Sequence, residues 1–156
     1  AILSRWPIES ATTWRLPTGN EPRVALAIDV DPPGIGPCTI VDVHFDWVKD
    51  DGFRFAQAEA VAERLATLNR PWILLGDFND TPGTRTRRLL GGLGVEGRGP
   101  DDGSNTWPAT GPEVDIDTII AGPATTWAPF EKRVGAEAIA SDHRPVVAEL
   151  AGPRRP

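Results

Sequence analysis

Residues 72–80 read Trp-Ile-Leu-Leu-Gly-Asp-Phe-Asn-Asp, and this stretch decides how the rest of the chain can fold. Its unbroken apolar run predicts a strand that is covered on both faces. Asp77 and Asn79 follow the run two positions apart, so both side chains leave the carboxyl end of the strand on the same side. Because reactive groups collect at strand ends in layered α/β folds, we expect a site there. A turn rich in Gly, Asp and Asn is the alternative interpretation of residues 76–80.

The segments on either side of this strand predict further strands and helices. Residues 23–30 alternate, with Val24, Leu26, Ile28 and Val30 on one face, and residues 38–45 form a second apolar run, so the two predict a hairpin. Apolar residues recur at three-to-four spacing over 53–69, which is typical of an amphipathic helix. We also predict a short helix over 84–90 capped by Thr84, a mobile loop over 91–105, strands over 114–120 and 146–150, and a frayed tail over 151–156. Strands flanked by helices that cover a sheet face indicate a layered α/β or α+β fold.

Composition limits the classes of function. The chain has 156 residues, of which 40% are hydrophobic and 24% are charged, so it should fold as about one domain. Its net charge is −6 and it carries no basic stripe, which disfavours duplex nucleic acid as a partner. The single cysteine, Cys38, excludes an intrachain disulfide and a cysteine-ligated zinc site. No stretch approaches the roughly 20 apolar residues of a membrane span, so we expect a soluble protein, either cytoplasmic or secreted.

Two histidines and several acidic residues lie where predicted strands meet loops. His44 is near the end of the 38–45 strand, and His143 follows Asp142 just before the last strand. A lone histidine is more often structural, but acidic neighbours favour a functional role. Asp142 either caps a turn, orients the imidazole or binds a metal. Asp115 and Asp117 lie two apart in an apolar strand, so either one points to water or both face a site.

As a set, these side chains suit phosphoester hydrolysis. That reaction needs a metal to neutralise phosphate charge, a base to activate water, and donors for the developing negative charge. Hard divalent cations prefer the oxygen ligands that Asp and Asn supply. Serine hydrolysis is the competing chemistry, but no serine lies in a Gly-x-Ser-x-Gly elbow. The glycine-rich loops of NTPases and dinucleotide enzymes are also absent from the sequence.

Six short segments occur in a characteristic order. They are Leu-Ser-Arg-Trp-Pro-Ile at residues 3–8, Val-His-Phe at 43–45, Leu-Gly-Asp-Phe-Asn at 75–79, Thr-Trp-Pro at 106–108, Ile-Asp-Thr-Ile-Ile at 116–120, and Ser-Asp-His-Arg-Pro-Val at 141–146. This series resembles the motifs of the endonuclease/exonuclease/phosphatase superfamily, which includes DNase I-like nucleases, neutral sphingomyelinases and inositol phosphatases. The resemblance implies an α+β fold, a DNase I-like four-layer α/β sandwich of two sheets with outer helices. Residues 1–150 would form the C-terminal three-fifths of that domain, and 151–156 the tail.

The resemblance also implies a metal site. The usual cofactor of the family is magnesium, sometimes manganese. Asp142 would help to bind the metal, and Asp77 and Asn79 would hold the attacking water and a phosphate oxygen, with Asp77 serving as the base or as a second metal ligand. The family's early asparagine and its metal-binding glutamate lie upstream of the Leu-Ser-Arg motif. No motif supports Glu9 or Glu21 as a replacement for that glutamate.

The remaining roles that the resemblance implies concern proton transfer. His143 would be the base or the phosphate-stabilising histidine, and Asp117 would orient it. His44 would donate to the phosphate or to the leaving oxygen. Thr118 and Trp107 depart from the residues common in the family, and both departures affect the substrate pocket more than the chemistry.

We therefore expect divalent-metal-dependent hydrolysis of a phosphoester, as a phosphodiesterase or a phosphatase. The alternative is an inactive truncated fragment, or a non-catalytic remnant that serves binding or assembly. The loops over 46–52 and 91–105 are short and acidic, which favours a small phosphoester or a lipid head group over duplex DNA. Because half a sandwich exposes apolar faces, we expect the chain to self-associate, or to pair with an N-terminal segment or a second chain.

Overall fold

The computed structural model describes residues 1–99 and 104–152, and its architecture is α+β. Two helices and eight strands are present in these residues. In chain order they are β1 Ile8–Arg15, β2 Val24–Val30, β3 Cys38–His44, α1 Gly52–Ala66, β4 Trp72–Asp77, α2 Arg85–Gly91, β5 Val95–Glu96, β6 Asp117–Gly122, β7 Lys132–Val134 and β8 Val146–Ala148.

Six of these strands form one mixed sheet in the order β1-β2-β3-β4-β6-β5, and β7 pairs with β8 in a separate two-stranded sheet. The β2–β3 pairing is antiparallel, with Val30 opposite Cys38, so the predicted hairpin is confirmed. Strands β3 and β4 are parallel, and α1 supplies the crossover that a parallel pair requires. Strand β6 returns antiparallel to β4. The carboxyl ends of β3 and β4 therefore meet the start of β6 at one edge of the sheet.

The main core lies between the sheet and the two helices. Helix α1 buries Ala58, Val61, Ala62 and Leu65, the three-to-four spacing that predicted it. Helix α2 contributes Leu90, and it is capped as predicted by the preceding Thr84, whose hydroxyl accepts a hydrogen bond from the Arg87 N–H. From the sheet and its loops the core takes Trp14, Leu16, Ala25, Ala27, Val41, Val43, Phe45, Trp72, Leu74, Phe78 and Ile120.

The opposite face of the sheet is covered less completely. In β4, Trp72 and Leu74 are buried against the helices, while Ile73 and Leu75 are only half-buried. The prediction of a strand covered on both faces is therefore wrong for the described structure. Strand β2 differs in the same way, because Ala25 and Ala27 enter the main core whereas Val24 at the end of the predicted apolar face is exposed.

Several element boundaries also differ from the predictions. Strand β6 begins at Asp117, not at residue 114, because Val114 forms an isolated bridge with Trp107. Strand β5 lies inside the segment predicted as a mobile loop over 91–105, of which residues 100–103 lie outside the described residues. Strands β1 and β7 were not predicted. Of the predicted tail, residues 151 and 152 are exposed, and 153–156 are not described.

Candidate active site

One row of side chains crosses three neighbouring strands at the edge where β3 and β4 end. His44 of β3 pairs in register with Asp77 of β4, and Asp77 pairs with Asp117 of β6. Residues directly opposite each other in a sheet project from the same face, so these three side chains lie side by side. They project from the face opposite the helices, because Val43, one residue before His44, and Leu74, three residues before Asp77, are buried in the helix-side core and side chains alternate along a strand.

Gly76 allows β3 and β4 to approach each other just before this row. Its φ is +134°, and a Cβ atom at this position would lie 2.0 Å from the carbonyl oxygen of Val43. Only glycine fits both that backbone conformation and that distance. Gly76 is therefore needed beside Asp77 for the packing of β3 against β4, and Asp77 is the candidate for the chemistry.

Asp77 is the centre of the row. Its Oδ1 accepts a hydrogen bond of 2.7 Å from the Asn79 N–H. Its Oδ2 lies 3.3 Å from His44 Nε2 and 3.9 Å from His143 Nε2. Burial raises the pKa of Asp77, and the charge of Asp117 adds to the rise, against the opposing effects of the Asn79 hydrogen bond and the two histidines.

His143 is held between two carboxylates. Its Nδ1 lies 2.8 Å from Asp117 Oδ2, and because an ionised carboxylate only accepts, Nδ1 carries the proton in this contact. Nε2 then faces Asp77. Burial acts to lower the pKa of His143, but the hydrogen bond to Asp117 and the charges of Asp117, Asp77 and Asp142 outweigh it and raise the pKa above its ordinary value.

The loop that carries His143 is fixed by backbone hydrogen bonds to the segment before β6. The Arg144 N–H donates to the Thr106 carbonyl at 2.8 Å, and the Ala109 N–H donates to the Asp142 carbonyl at 2.7 Å. The Thr106 hydroxyl in turn accepts from the N–H of Asp117 at 3.4 Å. The hydrogen bonds of the segment around Thr106 thus position both His143 and Asp117.

Asn79 and Asp142 border the row in different ways. Asn79 has a φ of 50°, and its side-chain amide donates to the Phe45 carbonyl at 3.0 Å, which leaves its amide oxygen as the group that can take a ligand. Asp142 is exposed. Asp77, Asp117 and His143 each offer a ligand atom within 4.8 Å of the others, a spacing at which they could hold a metal ion. Two carboxylates in such a group suit a hard divalent cation.

An open cavity of about 800 Å³ joins these groups. All six predicted site residues line it, so the structure brings His44, Asp77, Asn79, Asp117, Asp142 and His143 together. The cavity also contains residues that the sequence analysis did not place in the site. They are Glu21, Arg23, Trp47, Val114 and Ile116, and the cavity is also lined by Trp107, which the family resemblance assigned to the substrate pocket.

The sequence analysis allowed that Asp115 and Asp117 both face a site, and that alternative is wrong. Asp115 neither points to water nor lines the cavity, because it is buried and its Oδ1 accepts a 2.6 Å hydrogen bond from Lys132 Nζ. Lys132 is also buried, and it donates to the Asp117 carbonyl at 3.0 Å. Sequence reasoning missed this pair because Lys132 lies in β7, whose three residues carry no recognisable strand pattern.

One wall of the cavity is organised by Asp46. Its Oδ2 accepts from the Asn20 N–H at 2.6 Å, and its Oδ1 accepts from the Val48 N–H at 3.2 Å. Burial alone would raise the pKa of Asp46, but these backbone hydrogen bonds outweigh it and hold the pKa below its usual range. Asp46 therefore ties the segment that carries Glu21 to the loop that carries Trp47.

A model of the Endonuclease/Exonuclease/phosphatase family matches residues 1–143. The chain belongs to this family. Among curated protein sequences, no match was found.

Solved structures support the family's fold for this chain. A functionally unknown conserved protein from Enterococcus faecalis superposes with a TM-score of 0.77 at 22% identity, over 94% of this chain and 67% of that one. A mannosyl-6-phosphatase from Bacteroides thetaiotaomicron gives 0.71 at 21%, over 93% and 67%. A Staphylococcus aureus beta toxin variant with bound magnesium ions gives 0.73 at 17%, over 93% and 65%. The predicted DNase I-like fold is therefore confirmed, and the chain spans about two thirds of the length of these structures.

Proposed function

We propose that this protein hydrolyses phosphoester bonds by metal-assisted, in-line attack of an activated water. Membership of the endonuclease/exonuclease/phosphatase family supports phosphoester hydrolysis as the general activity. The observation that carries the proposal is the placement of His143 between Asp117 and Asp77 at the end of a strand row. This arrangement combines a proton acceptor, a carboxylate that orients it, and a second carboxylate beside the reacting centre.

His143 acts as the general base in this proposal. With its Nδ1 proton held by Asp117, the neutral ring leaves Nε2 free to accept a proton from the attacking water. Asp117 then stabilises the imidazolium that forms, which agrees with the raised pKa of His143. His44 has a half-exposed side chain that faces the cavity, and it donates from Nε2 to the phosphate or to the leaving oxygen.

The residues around Asp77 fit a divalent cation. Burial and the nearby charge of Asp117 both disfavour ionised Asp77, and a cation would compensate for that cost. We propose that Asp77, Asn79 and Asp142 hold magnesium or manganese, which leaves His143 and Asp117 for proton transfer. When bound, such a cation supplies charge neutralisation for the phosphate and the leaving group.

The charge of the cavity favours a small substrate. Four carboxylates line it, those of Glu21, Asp77, Asp117 and Asp142, against the single guanidinium of Arg23. The chain as a whole has a net charge of −6. A polyanion would be repelled by such a surface, so we propose a small phosphoester or a lipid head group over duplex DNA. The mannosyl-6-phosphatase among the structural neighbours supports a small phosphate monoester.

Hydrolysis of bis(p-nitrophenyl) phosphate and p-nitrophenyl phosphate tests this proposal. The purified chain is assayed with Mg²⁺, with Mn²⁺ and with EDTA, and alongside Asp77→Ala and His143→Ala. We expect turnover that requires the metal and falls by at least about 100-fold in either variant. Asp31→Ala, which changes an exposed acid in the loop after β2, is the matched control and should retain full activity.

Activity that survives EDTA or both substitutions would overturn the proposed mechanism. Silence under every condition would favour the non-catalytic binding function instead. Addition of an N-terminal segment from a family relative then tests whether a further piece of chain completes the site, because restored turnover would return the enzyme proposal.

A further inference from the structure

Two exposed tryptophans flank the candidate active site. Trp47 is 59% exposed and Trp107 is 41% exposed, yet both line the same cavity as the histidines. Exposed aromatic side chains that share one cavity form an apolar surface that a bound molecule can cover. Neither residue belongs to the row that the proposed chemistry uses.

The two tryptophans approach the row from opposite ends. Trp47 follows His44 by three residues, on the loop after β3. Trp107 exchanges backbone hydrogen bonds of 3.2 and 3.0 Å with Val114, three residues before Asp117 at the start of β6. In the sheet, β4 lies between β3, which leads into the Trp47 loop, and β6, which follows the Trp107 segment, so the two tryptophans reach the cavity from segments on either side of β4.

Both tryptophans stand on anchored backbone. The Asp46 hydrogen bonds to Asn20 and Val48 fix the loop around Trp47. The bridge to Val114 and the buried Thr106 fix Trp107. The backbone that carries each tryptophan is thus held in place, so less backbone has to be ordered when a ligand binds in the cavity.

The polar groups of the cavity indicate what such a ligand carries at its edge. Glu21 offers a carboxylate that neither the proton-transfer groups nor the proposed metal ligands use, and its Oε2 lies 2.8 Å from Arg23 Nη2, whose guanidinium offers donors beside it. A ligand that suits this lining has many hydroxyl donors around its rim and a C–H face for the electron-rich face of an indole. A sugar ring has both properties, whereas a nucleobase has a flat π-face and few donors.

We propose that Trp47 and Trp107 are specificity-determining residues that receive the alcohol portion of the substrate as a sugar ring, so that the substrate is a sugar phosphate. This inference rests on the proposed phosphoesterase function. Stacking on the two indoles places the ring, and the phosphate attached to it then lies over the strand row.

Equilibrium binding tests the inference apart from catalysis. The full chain is titrated, with and without Mg²⁺, with glucose 6-phosphate, its open-chain counterpart sorbitol 6-phosphate, and adenosine 5′-monophosphate, and dissociation constants are measured by ligand-observed NMR. We expect the ring compound to bind more tightly than the open chain. Trp47→Ala and Trp107→Ala should each weaken that binding about three- to tenfold and leave sorbitol 6-phosphate binding unchanged.

Trp6→Ala is the matched control, since Trp6 is 40% exposed but does not line the cavity, and it should bind all three compounds as the unaltered protein does. Trp47→Phe should restore most of the preference. Equal affinity for ring and open-chain compounds, or a preference for the nucleotide, overturns the inference. Capture of the chain by phosphatidylcholine vesicles that either tryptophan substitution abolishes would overturn it in favour of a lipid surface.

The two proposals fail in different ways. Hydrolysis of bis(p-nitrophenyl) phosphate without ring selectivity contradicts only the sugar assignment. Ring-selective binding without any hydrolysis contradicts the enzymatic function and leaves the tryptophan site in place.

Discussion

Gly76 shows how a single residue sets the geometry of the candidate site. A methyl group at this position would meet the Val43 carbonyl oxygen at 2.0 Å, and that carbonyl belongs to β3 and cannot rotate away without breaking the sheet. The distance between His44 and Asp77 depends on the strand approach that Gly76 permits.

Gly76→Ala should therefore lower the free energy of unfolding by about 3 kcal/mol or more, through positive φ and backbone overlap together. Gly83→Ala is the control, because Gly83 has a φ of +88° but open space around it, so only the conformational cost of about 1 kcal/mol applies. Urea unfolding of both variants gives the difference. Equal losses of unfolding free energy in the two variants would show that the close approach of β3 and β4 adds nothing to the cost of the Gly76 substitution.

The raised pKa of His143 depends on its carboxylate neighbours. Asp117→Asn removes the charge that faces Nδ1, so the pKa of His143 should fall towards or below its ordinary value, because burial then acts with less opposition. NMR titration of the imidazole of metal-free protein measures this shift. Turnover of bis(p-nitrophenyl) phosphate should fall by about 100-fold or more, since the ring loses its oriented proton.

The sign of the linked stability follows from the same pKa. Because the pKa of His143 is raised in the folded state, the contact between protonated His143 and Asp117 stabilises the fold. This stabilisation is complete at pH values below the pKa of an unfolded histidine, about 6.5, and it is lost as the pH rises through the pKa of folded His143. The unfolding free energies of the unaltered protein and Asp117→Asn should therefore differ more at low pH than at high pH across this window. An unchanged His143 pKa in the variant would contradict the pairing.

The sequence predicted the candidate reactive side chains of the site but not the residues that surround them. Asp77 and Asn79 could be predicted because a buried apolar run led directly into them, and His143 because acids surround it. Glu21, Arg23 and Trp47 could not be, since Asp46 gathers their segments through hydrogen bonds between residues distant in sequence. The assignment of catalytic and metal-binding roles to individual residues stays a prediction.

Strand β7 pairs with β8, and one of its side chains also ties it to the segment that begins β6. Its Lys132 is 1% exposed and binds the Asp115 carboxylate, two residues before β6, and the Asp117 carbonyl at the start of β6. Such a buried pair contributes specificity of position more than net stability, but losing one partner leaves the other charge buried alone.

Lys132→Met should cost about 3–5 kcal/mol of unfolding free energy for that reason. Adding Asp115→Leu should recover most of the loss, because no unpaired charge then remains. The neighbouring Arg133→Met is the control, since its ion pair with Glu149 is exposed and contributes at most about 1 kcal/mol. Denaturant titrations of the three variants compare them. A mild effect of Lys132→Met would indicate that water reaches Asp115.

Elements with strong periodicity were predictable, and elements fixed by tertiary contacts were not. The spacing of Ala58, Val61 and Leu65 predicted α1 because that face is buried in the core. Strand β1 escaped prediction because seven of its eight residues are exposed and it is polar along much of its length. Strand β5 is two residues long and is held by pairing with β6, so its own sequence carries little signal.

The whole molecule presents one covered face and one partly covered face of its main sheet. Ile40, Ile73, Leu75 and Ile119 are half-buried there, and Leu3 and Ile139 are almost fully exposed. None of the helices within residues 1–99 and 104–152 is long and apolar enough to cross a membrane. The half-buried and exposed apolar side chains named above form a surface that can make protein contacts.

We expect the isolated chain to associate with itself through this surface. Sedimentation velocity over a wide range of protein concentration should show a growing larger species that high salt does not dissolve, since apolar contacts do not depend on ion pairing. Leu3→Ser combined with Ile139→Ser should weaken the association. A monomer that persists at every concentration would contradict this prediction.

Family and fold class were predictable for the whole molecule because six motifs keep their order along the chain, and the family match over residues 1–143 confirms them. The extent of sheet coverage was not predictable in the same way. The burial of Ile73 and Leu75 depends on what packs against that face of the sheet. The apolar run in the sequence is the same whether the face is fully or only partly covered.

The strand row of His44, Asp77 and Asp117 has a consequence for the order of folding events. Its members are joined through pairings between segments that lie far apart along the chain, and such contacts form only after long loops have closed. His143 joins them from a still later segment. The helix and the hairpin can therefore form early from local contacts, while the reactive groups come within reach of one another only when the sheet is nearly complete. Recovery of the proposed phosphoester hydrolysis during refolding would thus require the native strand order, and a partly folded chain would not show it.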